Sequence, residues 1–284
     1  MVVAAENVWG SIAMQLGGDR VAEVSIIANP ATDPHDYEPS AADARLFASA
    51  RLVIINGLGY DAWAPRLIAA NPTRGRLVLN VGDALGLHPG ANPHRWYSPV
   101  DVRGVIDRVT AAYQQLDPAA SSYFAAQHEQ YVTQGLAGYS RAVASIRQRF
   151  AGQRIGASES IAAPLAAGLG LRLITPAGFL NAISEGADPT AADKAEADAQ
   201  IAQHDIRVFL FNTQNATPDV QAQVNAAHAQ GIPVVALTET LSPATATFQT
   251  WQTAQLLALQ AALASATTGR NVAMAPVLVR PAAE

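Results

Sequence analysis

The chain has 284 residues, half of them hydrophobic and 14% charged, with a formal net charge of −5. This composition supplies ample material for a core and excludes a disordered chain. The lack of a basic block and the low aromatic content argue against nucleic acid as a partner. There is no cysteine, so disulfides, thiolate metal sites and thiol catalysis are excluded. Any metal would have to be held by His, Asp and Glu.

The N-terminal residues MVVAAENVWGSIA predict a strand followed by an amphipathic helix, without the pattern of a signal peptide. No run approaches the roughly 20 apolar residues that a membrane span needs. The protein is therefore expected either to be cytoplasmic or to begin at a mature domain.

Short apolar segments alternate with helix-like segments along most of the chain. Strands are predicted at residues 2–5, 21–28, 52–56, 77–81, 154–158, 171–174, 208–212 and 233–237. Helix-like segments between them include residues 39–49, 62–70, 191–203 and 218–230. Short, continuous strands rich in Val, Ile and Leu are typical of parallel sheets covered on both faces, so the alternation predicts an α/β fold.

The middle of the chain interrupts this alternation. Residues 118–150 carry no strand signal, and their apolar residues follow one helical stripe: Phe124, Val132, Leu136, Tyr139, Val143, Ile146 and Phe150. A helix of this length would be a rod about 45 Å long. We expect an N-terminal lobe at 1–117 and a C-terminal lobe at 151–284, joined by this long helix. The alternative is one large sheet with an oversized crossover.

A glycine-rich turn follows the third predicted strand. Gly57-x-Gly59-x-x-Ala62 and the later Asp83 nearly satisfy the dinucleotide-binding fingerprint. Two further units precede this turn, however, and Asp61 stands where an anionic pyrophosphate would lie. An ordinary strand-to-helix turn is the competing interpretation.

Two of the six histidines share an unusual setting. His35 in TDPHDYEP and His94 in NPHRWYSP each follow a proline and precede aromatic residues and a second proline. Proline restricts the backbone around it, which suits a fixed metal ligand, and imidazole is the commonest protein metal ligand. Each alone could be a structural loop residue, and the repetition favours ligands.

Two acids come at predicted strand ends in the second half. Glu159 follows the strand in QRIGAS, and Glu239 follows IPVVALT. Open α/β sheets place ligands at the carboxyl ends of their strands, although helix capping is a commoner use of a lone acid there. The sequence has no GxSxG elbow, HExxH motif or P-loop, and we predict no catalytic residues.

These segments resemble the metal-binding (zinc/manganese) solute-binding proteins of ABC importers, known as cluster A-I or cluster 9. The runs DPHDYEPS, NGLG and NPHRWYSP are characteristic of its first lobe, while SESIAAPLAAGLGL and PVVALTETLS occupy the places of its third and fourth ligand segments. The similarity covers about residues 5–262. It implies two mainly parallel α/β lobes, one long linking helix that permits only small lobe shifts, and a metal site of His35, His94, Glu159 and Glu239.

The resemblance also implies a function. The protein would capture one divalent metal ion between its lobes and deliver it to an ABC membrane permease. Manganese members carry Glu at the third ligand position, as here, and the His-rich loop common in zinc members is missing. Mn²⁺ is therefore slightly favoured over Zn²⁺, with Fe²⁺ less favoured. Glu239 departs from the family, which has Asp there.

Further expectations follow from the same resemblance. The protein would be monomeric, extracytoplasmic in the periplasm or on the cell surface, and lipid-anchored only through a segment upstream of this chain. Three other functions stay open: a Rossmann-type NAD-dependent enzyme using Gly57 and Gly59, a catalytic metalloenzyme, and a surface adhesin.

Overall fold

The computed structural model describes residues 1–30, 32, 34 and 37–268. Each half of the chain contains a four-stranded sheet in which every pairing is parallel. The strands are β1 (Val2–Glu6), β2 (Glu23–Ile27), β3 (Leu52–Ile55), β4 (Leu77–Asn80), β5 (Arg154–Ala157), β6 (Arg172–Leu173), β7 (Phe209–Asn212) and β8 (Val234–Leu237). The sheets have the orders β2-β1-β3-β4 and β6-β5-β7-β8, so both halves have the same topology.

Helices follow the strands and cover the sheets. They are α1 (Asn7–Gly17), α2 (Ala41–Ser49), α3 (Trp63–Ala70), α4 (Val81–Ala84), α5 (Pro99–Leu116), α6 (Ser121–Gln130), α7 (Ala137–Phe150), α8 (Ala162–Leu169), α9 (Ala177–Ser184), α10 (Ala191–Ala202), α11 (Pro218–Ala229) and α12 (Phe248–Thr268). All eight predicted strands are present and the α/β class is confirmed. No helix in the described part of the chain is both long and apolar enough to cross a membrane.

The linking segment is helical nearly throughout, but it is not one continuous α-helix. A short 3₁₀ turn precedes α6, and a π-helical turn at Tyr131–Gly135 separates α6 from α7. The N–H of Leu136 donates to the carbonyl of Tyr131, five residues earlier. Both side chains are buried although they are five positions apart. The wider turn therefore brings onto one face two residues that an α-helix would place on different faces.

The main apolar core is continuous between the two halves. One cluster includes Val2 from β1, Ile146 from α7, Phe209 from β7 and Leu259 from α12. Helix α12 packs along α7 and begins against α1, where the N–H of Phe248 donates to Ser11 Oγ at 2.9 Å. The last helix thus forms a second connection between the halves, and the lobe boundaries at residues 117 and 150 stay a prediction. Residues 269–284, at the end of the second predicted lobe, lie outside the described residues.

A buried carboxyl pair lies at the end of the first sheet. Glu6 and Asp61 are each about 1% exposed. Asp61 accepts hydrogen bonds from the backbone N–H groups of Asn56 at 2.6 Å and Gly57 at 2.8 Å. Burial, and then the charge of Asp61, raises the pKa of Glu6 well above its usual value. Burial raises the pKa of Asp61 as well, but the two N–H donors oppose that rise. Glu6 is therefore the neutral partner and Asp61 the anion.

The first prediction concerns the continuous core. Phe248 is fully buried, with its ring 5.9 Å from that of Tyr139 and 6.1 Å from that of Trp251. Replacing Phe248 with Ala should lower the free energy of unfolding by about 3–5 kcal/mol, because a cavity opens where α12 meets the first half. Urea denaturation followed by circular dichroism measures the change. Leu257→Ala on the same helix, at a position 51% exposed, should change it by less than about 0.5 kcal/mol. Equal losses for the two variants would contradict this account.

The second prediction concerns Glu6. Its folded-state pKa lies above the unfolded value near 4.5, so the proton it holds stabilises the fold fully below that pH. This contribution of Glu6 to the free energy of unfolding is lost as the pH rises from the unfolded pKa towards the folded pKa, at up to about 1.4 kcal/mol per pH unit. Glu6→Gln carries no such proton, so its stability relative to wild type should rise between pH 5 and pH 8.

The measurement is the free energy of unfolding in urea at the two pH values. Glu129→Gln, at an exposed position on α6, is the matched control and should show no such trend. A difference between Glu6→Gln and wild type that is the same at both pH values would contradict the assignment of the proton to Glu6.

Candidate metal centre

Three of the four predicted ligands meet between the two halves of the chain. His94 lies in the loop between α4 and α5, Glu159 follows β5, and Glu239 follows β8. One ligand atom from each lies within 4.8 Å of those of the other two. His94 Nε2 is 3.8 Å from Glu239 Oε2, and all three side chains are buried. His35, the fourth predicted ligand, lies outside the described residues.

The His94 ring is oriented by the side chain of Asn92. Asn92 Oδ1 accepts the backbone N–H of His94 at 3.0 Å and lies 3.1 Å from its Nδ1. Asn92 Nδ2 donates to the carbonyl of Ser160 at 2.7 Å. A carbonyl only accepts and a backbone N–H only donates, so these partners fix which end of the amide faces the ring. Nδ1 therefore carries the proton, and Nε2, 3.8 Å from Glu239 Oε2, is the ring nitrogen whose lone pair could bind a metal.

Aromatic side chains surround the imidazole. Its ring centroid is 5.8 Å from that of Tyr60 and 5.4 Å from that of Trp96, both edge to face. Trp96 in turn packs edge to face on Trp9 at 6.1 Å. The neighbouring carbonyl of Pro93 accepts a hydrogen bond from Asn56 Nδ2 at 3.0 Å, which ties the histidine loop to the end of β3. Packing and backbone contacts together leave the ring little freedom to turn.

The two glutamates are joined through one amide. Asn212 Nδ2 donates to Glu159 Oε1 at 2.9 Å and to Glu239 Oε1 at 2.8 Å. Asn215 Nδ2 donates to Glu159 Oε2 at 3.0 Å, and the hydroxyl of Tyr60 donates to Glu239 Oε2 at 2.7 Å. These donors orient the carboxylates without cancelling their charge, because amides and phenols are neutral.

Tyr60 comes from the first half of the chain and Glu239 from the second. Burial raises the pKa of Tyr60 well above its usual value, and the charge of Glu239 raises it further. The phenol therefore keeps its proton and donates a hydrogen bond to the carboxylate. The arrangement offers one imidazole nitrogen and two carboxylates at close range, a donor set that suits a divalent transition-metal ion.

The glycine turn after β3 is held by a buried carboxylate of its own chain. The backbone N–H groups of Asn56 and Gly57, which a nucleotide-binding turn would aim at a pyrophosphate, are already bound to the buried carboxylate of Asp61. Gly57 has a φ of 72°, and a Cβ there would collide with the side chain of Asn80. The glycine is thus required by the local backbone, which favours the ordinary strand-to-helix turn over an NAD-binding turn.

Sequence reasoning missed the residues that orient the ligands: Tyr60, Asn92, Asn212, Gln214 and Asn215. Two of these had a signal. Asn212 is a polar residue at the end of an apolar strand, the same rule that selected Glu159 and Glu239, and Asn92 lies within the NPHRWYSP run. The roles of the others depend on contacts between residues distant in the chain, and no local pattern indicates them.

Comparison with known proteins shows which families and relatives this chain resembles. The family model described as zinc-uptake complex component A, periplasmic, matches residues 2–262. The manganese-binding lipoprotein MntA of Halalkalibacterium halodurans is 25% identical over 140 residues, covering 46% of this chain and 44% of that protein. The high-affinity zinc uptake system protein ZnuA of Bacillus subtilis is 20% identical over 207 residues, covering 66% and 63%. The chain thus spans less than two thirds of the length of each of these relatives.

A solved structure shows the same architecture. The Mn-bound periplasmic metal-binding protein of Candidatus Liberibacter asiaticus superposes with a TM-score of 0.77 at 19% identity, covering 92% of this chain and 98% of that one. The two-lobed α/β fold expected from the sequence is therefore confirmed. Since the family model spans nearly all of the described residues, this chain belongs to the family of periplasmic zinc-uptake component A proteins.

Proposed function

We propose that this protein captures one divalent transition-metal ion between its two halves and delivers it to an ABC import permease. The observation that carries the proposal is the convergence of His94, Glu159 and Glu239 within 4.8 Å, buried and oriented by neutral donors. The ion is the transported substrate, held by side chains from both halves of the chain.

Charge balance supports this function. Two carboxylates close together in a buried site repel each other, and burying an uncompensated charge is costly. Two neutral imidazoles and two ionised carboxylates would carry a formal charge of −2, which a divalent cation offsets. The structure therefore favours a cation as the natural occupant.

We include His35 as the fourth ligand because of how its loop is connected. Gln214 Nε2 donates to the carbonyl of Thr32 at 2.9 Å, while Gln214 Oε1 accepts the N–H of Glu239 at 2.6 Å. Thr32 precedes His35 by three residues in the sequence. The Gln214 side chain thus contacts the backbone of Glu239 and also the backbone three residues before His35 in the sequence.

The choice of metal follows from the donor types. Carboxylates favour Mn²⁺ and imidazole suits Zn²⁺, while Zn²⁺ has the higher intrinsic affinity for such sites. We propose Mn²⁺ as slightly favoured over Zn²⁺, with Fe²⁺ third, because the third position is Glu159 and no His-rich loop precedes His94. Names of relatives include both manganese-binding and zinc-uptake proteins, which supports a divalent transition metal.

Transport accounts for the site better than catalysis. A catalytic metal keeps a coordination position open for water or substrate, whereas two histidines and two carboxylates, each able to bind through both oxygens, can fill the coordination shell. We further propose that the protein acts as a monomer outside the cytoplasmic membrane, in the periplasm or on the cell surface. Relatives described as lipoproteins support a lipid anchor attached upstream of this chain.

The third prediction tests the ligands. His94→Ala and Glu159→Gln should each weaken metal binding by about 100-fold or more, since each removes a donor whose orienting partners alone are worth 10–100-fold. His35→Ala should have a similar effect. Isothermal titration with Mn²⁺ and Zn²⁺, and elemental analysis after desalting, measure affinity and stoichiometry.

His128→Ala is the control, because His128 contacts Asp107 on the surface at 2.7 Å. It should bind one ion per chain, as wild type does. The site assignment would be wrong if His94→Ala and Glu159→Gln retained one ion per chain at wild-type affinity.

The fourth prediction separates transport of a metal from use of NAD. Chelator-treated protein should unfold at a higher temperature when Mn²⁺ or Zn²⁺ is added. An ion at 100 times its dissociation constant stabilises by about 2.7 kcal/mol, which corresponds to a rise in Tm of roughly 5 °C for a chain of this size. Mg²⁺ and NAD should leave the Tm unchanged. A rise with NAD and none with either transition metal would overturn the proposed function.

A further inference from the structure

Asn92 forms a hydrogen-bonded link between the two halves next to two of the proposed ligands. Its oxygen contacts the backbone N–H and the Nδ1 of His94, and its nitrogen donates across to the carbonyl of Ser160 at 2.7 Å. Ser160 directly follows Glu159. The Asn92 amide therefore orients His94 in the first half and binds the backbone beside Glu159 in the second half.

Gln214 makes the reciprocal link in the opposite direction. Its oxygen accepts the N–H groups of Glu239 at 2.6 Å and Thr240 at 3.2 Å within the second half. Its nitrogen donates across to the carbonyl of Thr32 in the first half at 2.9 Å. In both links the oxygen accepts from the loop of a proposed ligand in its own half, and the nitrogen donates to a carbonyl that lies within three residues, along the sequence, of a proposed ligand of the other half.

The chemistry of the amide explains the choice of residue. A carboxylate could accept the same N–H groups but could not donate to a carbonyl, and a Lys or Arg could donate but not accept. Asn and Gln do both without adding charge beside the metal. Separating the halves would break both cross-links, and it would also release the two side chains that hold His94 and Glu239 in place.

The Asn92 link lies in a cleft between the halves. This cavity of 440 Å³ is lined by Tyr60, Asn92, Ser160 and Asn181 among others. Its lining includes the immediate chain neighbour of His94, Pro93, and that of Glu159, Ser160, as well as the phenol that binds Glu239. The cleft therefore lies directly beside the site that the link spans.

We propose that Asn92 and Gln214 are positioning residues that couple closure of the two halves to placement of the metal ligands, and so set how slowly the ion is released. The proposal rests on the proposed function, since it requires the ion to bind at His94, Glu159 and Glu239. Neither residue needs to touch the ion.

The test uses variants that remove only the donor. Asn92→Asp and Gln214→Glu keep the size of the side chain and the accepting oxygens but lose the N–H groups that cross between the halves. Metal release is followed by stopped flow, in which Zn²⁺-loaded or Mn²⁺-loaded protein is mixed with excess chelator. Each variant should release the ion about 10–100-fold faster than wild type, with one ion still bound per chain at saturation.

The sign of the effect separates positioning from electrostatics. Each substitution adds a negative charge near the cation, which by Coulomb attraction alone would slow release. Asn181→Asp adds the same charge in the same cleft at a residue outside the two links, and its release should be no faster than wild type. If Asn92→Asp and Gln214→Glu release the ion faster than wild type and Asn181→Asp does not, the faster release is due to the lost hydrogen bond between the halves.

Two different failures are distinguishable. Release at or below the wild-type rate in both variants, with one ion per chain, would overturn the coupling and leave the proposed function intact. Wild-type protein that binds neither metal would overturn the proposed function itself. Circular dichroism checks folding, and because the two residues lie in different halves, either variant alone carries the test if the other does not fold.

Discussion

The amide of Asn212 holds together the two carboxylates on which the site depends. Glu159 and Glu239 come from different strand ends of the second sheet, and each would repel the other in a buried position. Both hydrogens of one amide nitrogen are used, one on each glutamate, at 2.9 and 2.8 Å. These hydrogen bonds fix the direction of the two carboxylates and add no positive charge. If both acids are ionised, a divalent cation would offset their charge.

The equivalent position in the first half has a related role. Asn56 follows β3 as Asn212 ends β7, and these two strands occupy the same place in the two sheet orders. Both side chains are fully buried. Asn56 accepts from the indole of Trp9 at 3.0 Å and donates to the carbonyl of Pro93, beside His94. In open α/β sheets, ligands collect where the strand order reverses. The duplicated topology thus places a buried asparagine next to the proposed ligands in each half.

Local patterns were sufficient to predict the strands and several helices, because period and composition are properties of neighbouring residues. They also marked His94, Glu159 and Glu239, since proline framing and strand ends can be read from a few residues. The π turn at Tyr131–Gly135 could not be read in this way. The stripe predicted Val132 and Leu136 on the buried face, whereas the structure buries Leu136 together with Tyr131 and leaves Val132 partly buried. Whether Tyr131 faces the core depends on packing against the rest of the molecule.

The contacts that orient the proposed ligands could not be predicted from the sequence for a similar reason. Tyr60 binds Glu239 across 179 positions, and Gln214 reaches Thr32 across 182. A phenol in a turn and an amide in a loop give no local indication of such partners. The nucleotide fingerprint shows that one local pattern can fit two structures. Its glycines satisfy the pattern, but the N–H groups of Asn56 and Gly57 bind Asp61, which favours an ordinary turn.

The continuous core limits how the protein can open. Since α12 packs against both α7 and α1, wide separation of the halves would expose apolar side chains such as Phe248 to water, at a cost that grows with the exposed area. Small displacements are far cheaper. A hydrogen bond near 2.9 Å is largely lost when its atoms move about 1 Å further apart, because little attraction remains beyond 3.5 Å. Amide links such as those of Asn92 and Gln214 are therefore sensitive to movements that the core permits. A site whose ligands depend on such links can change its hold on an ion without a large hinge motion.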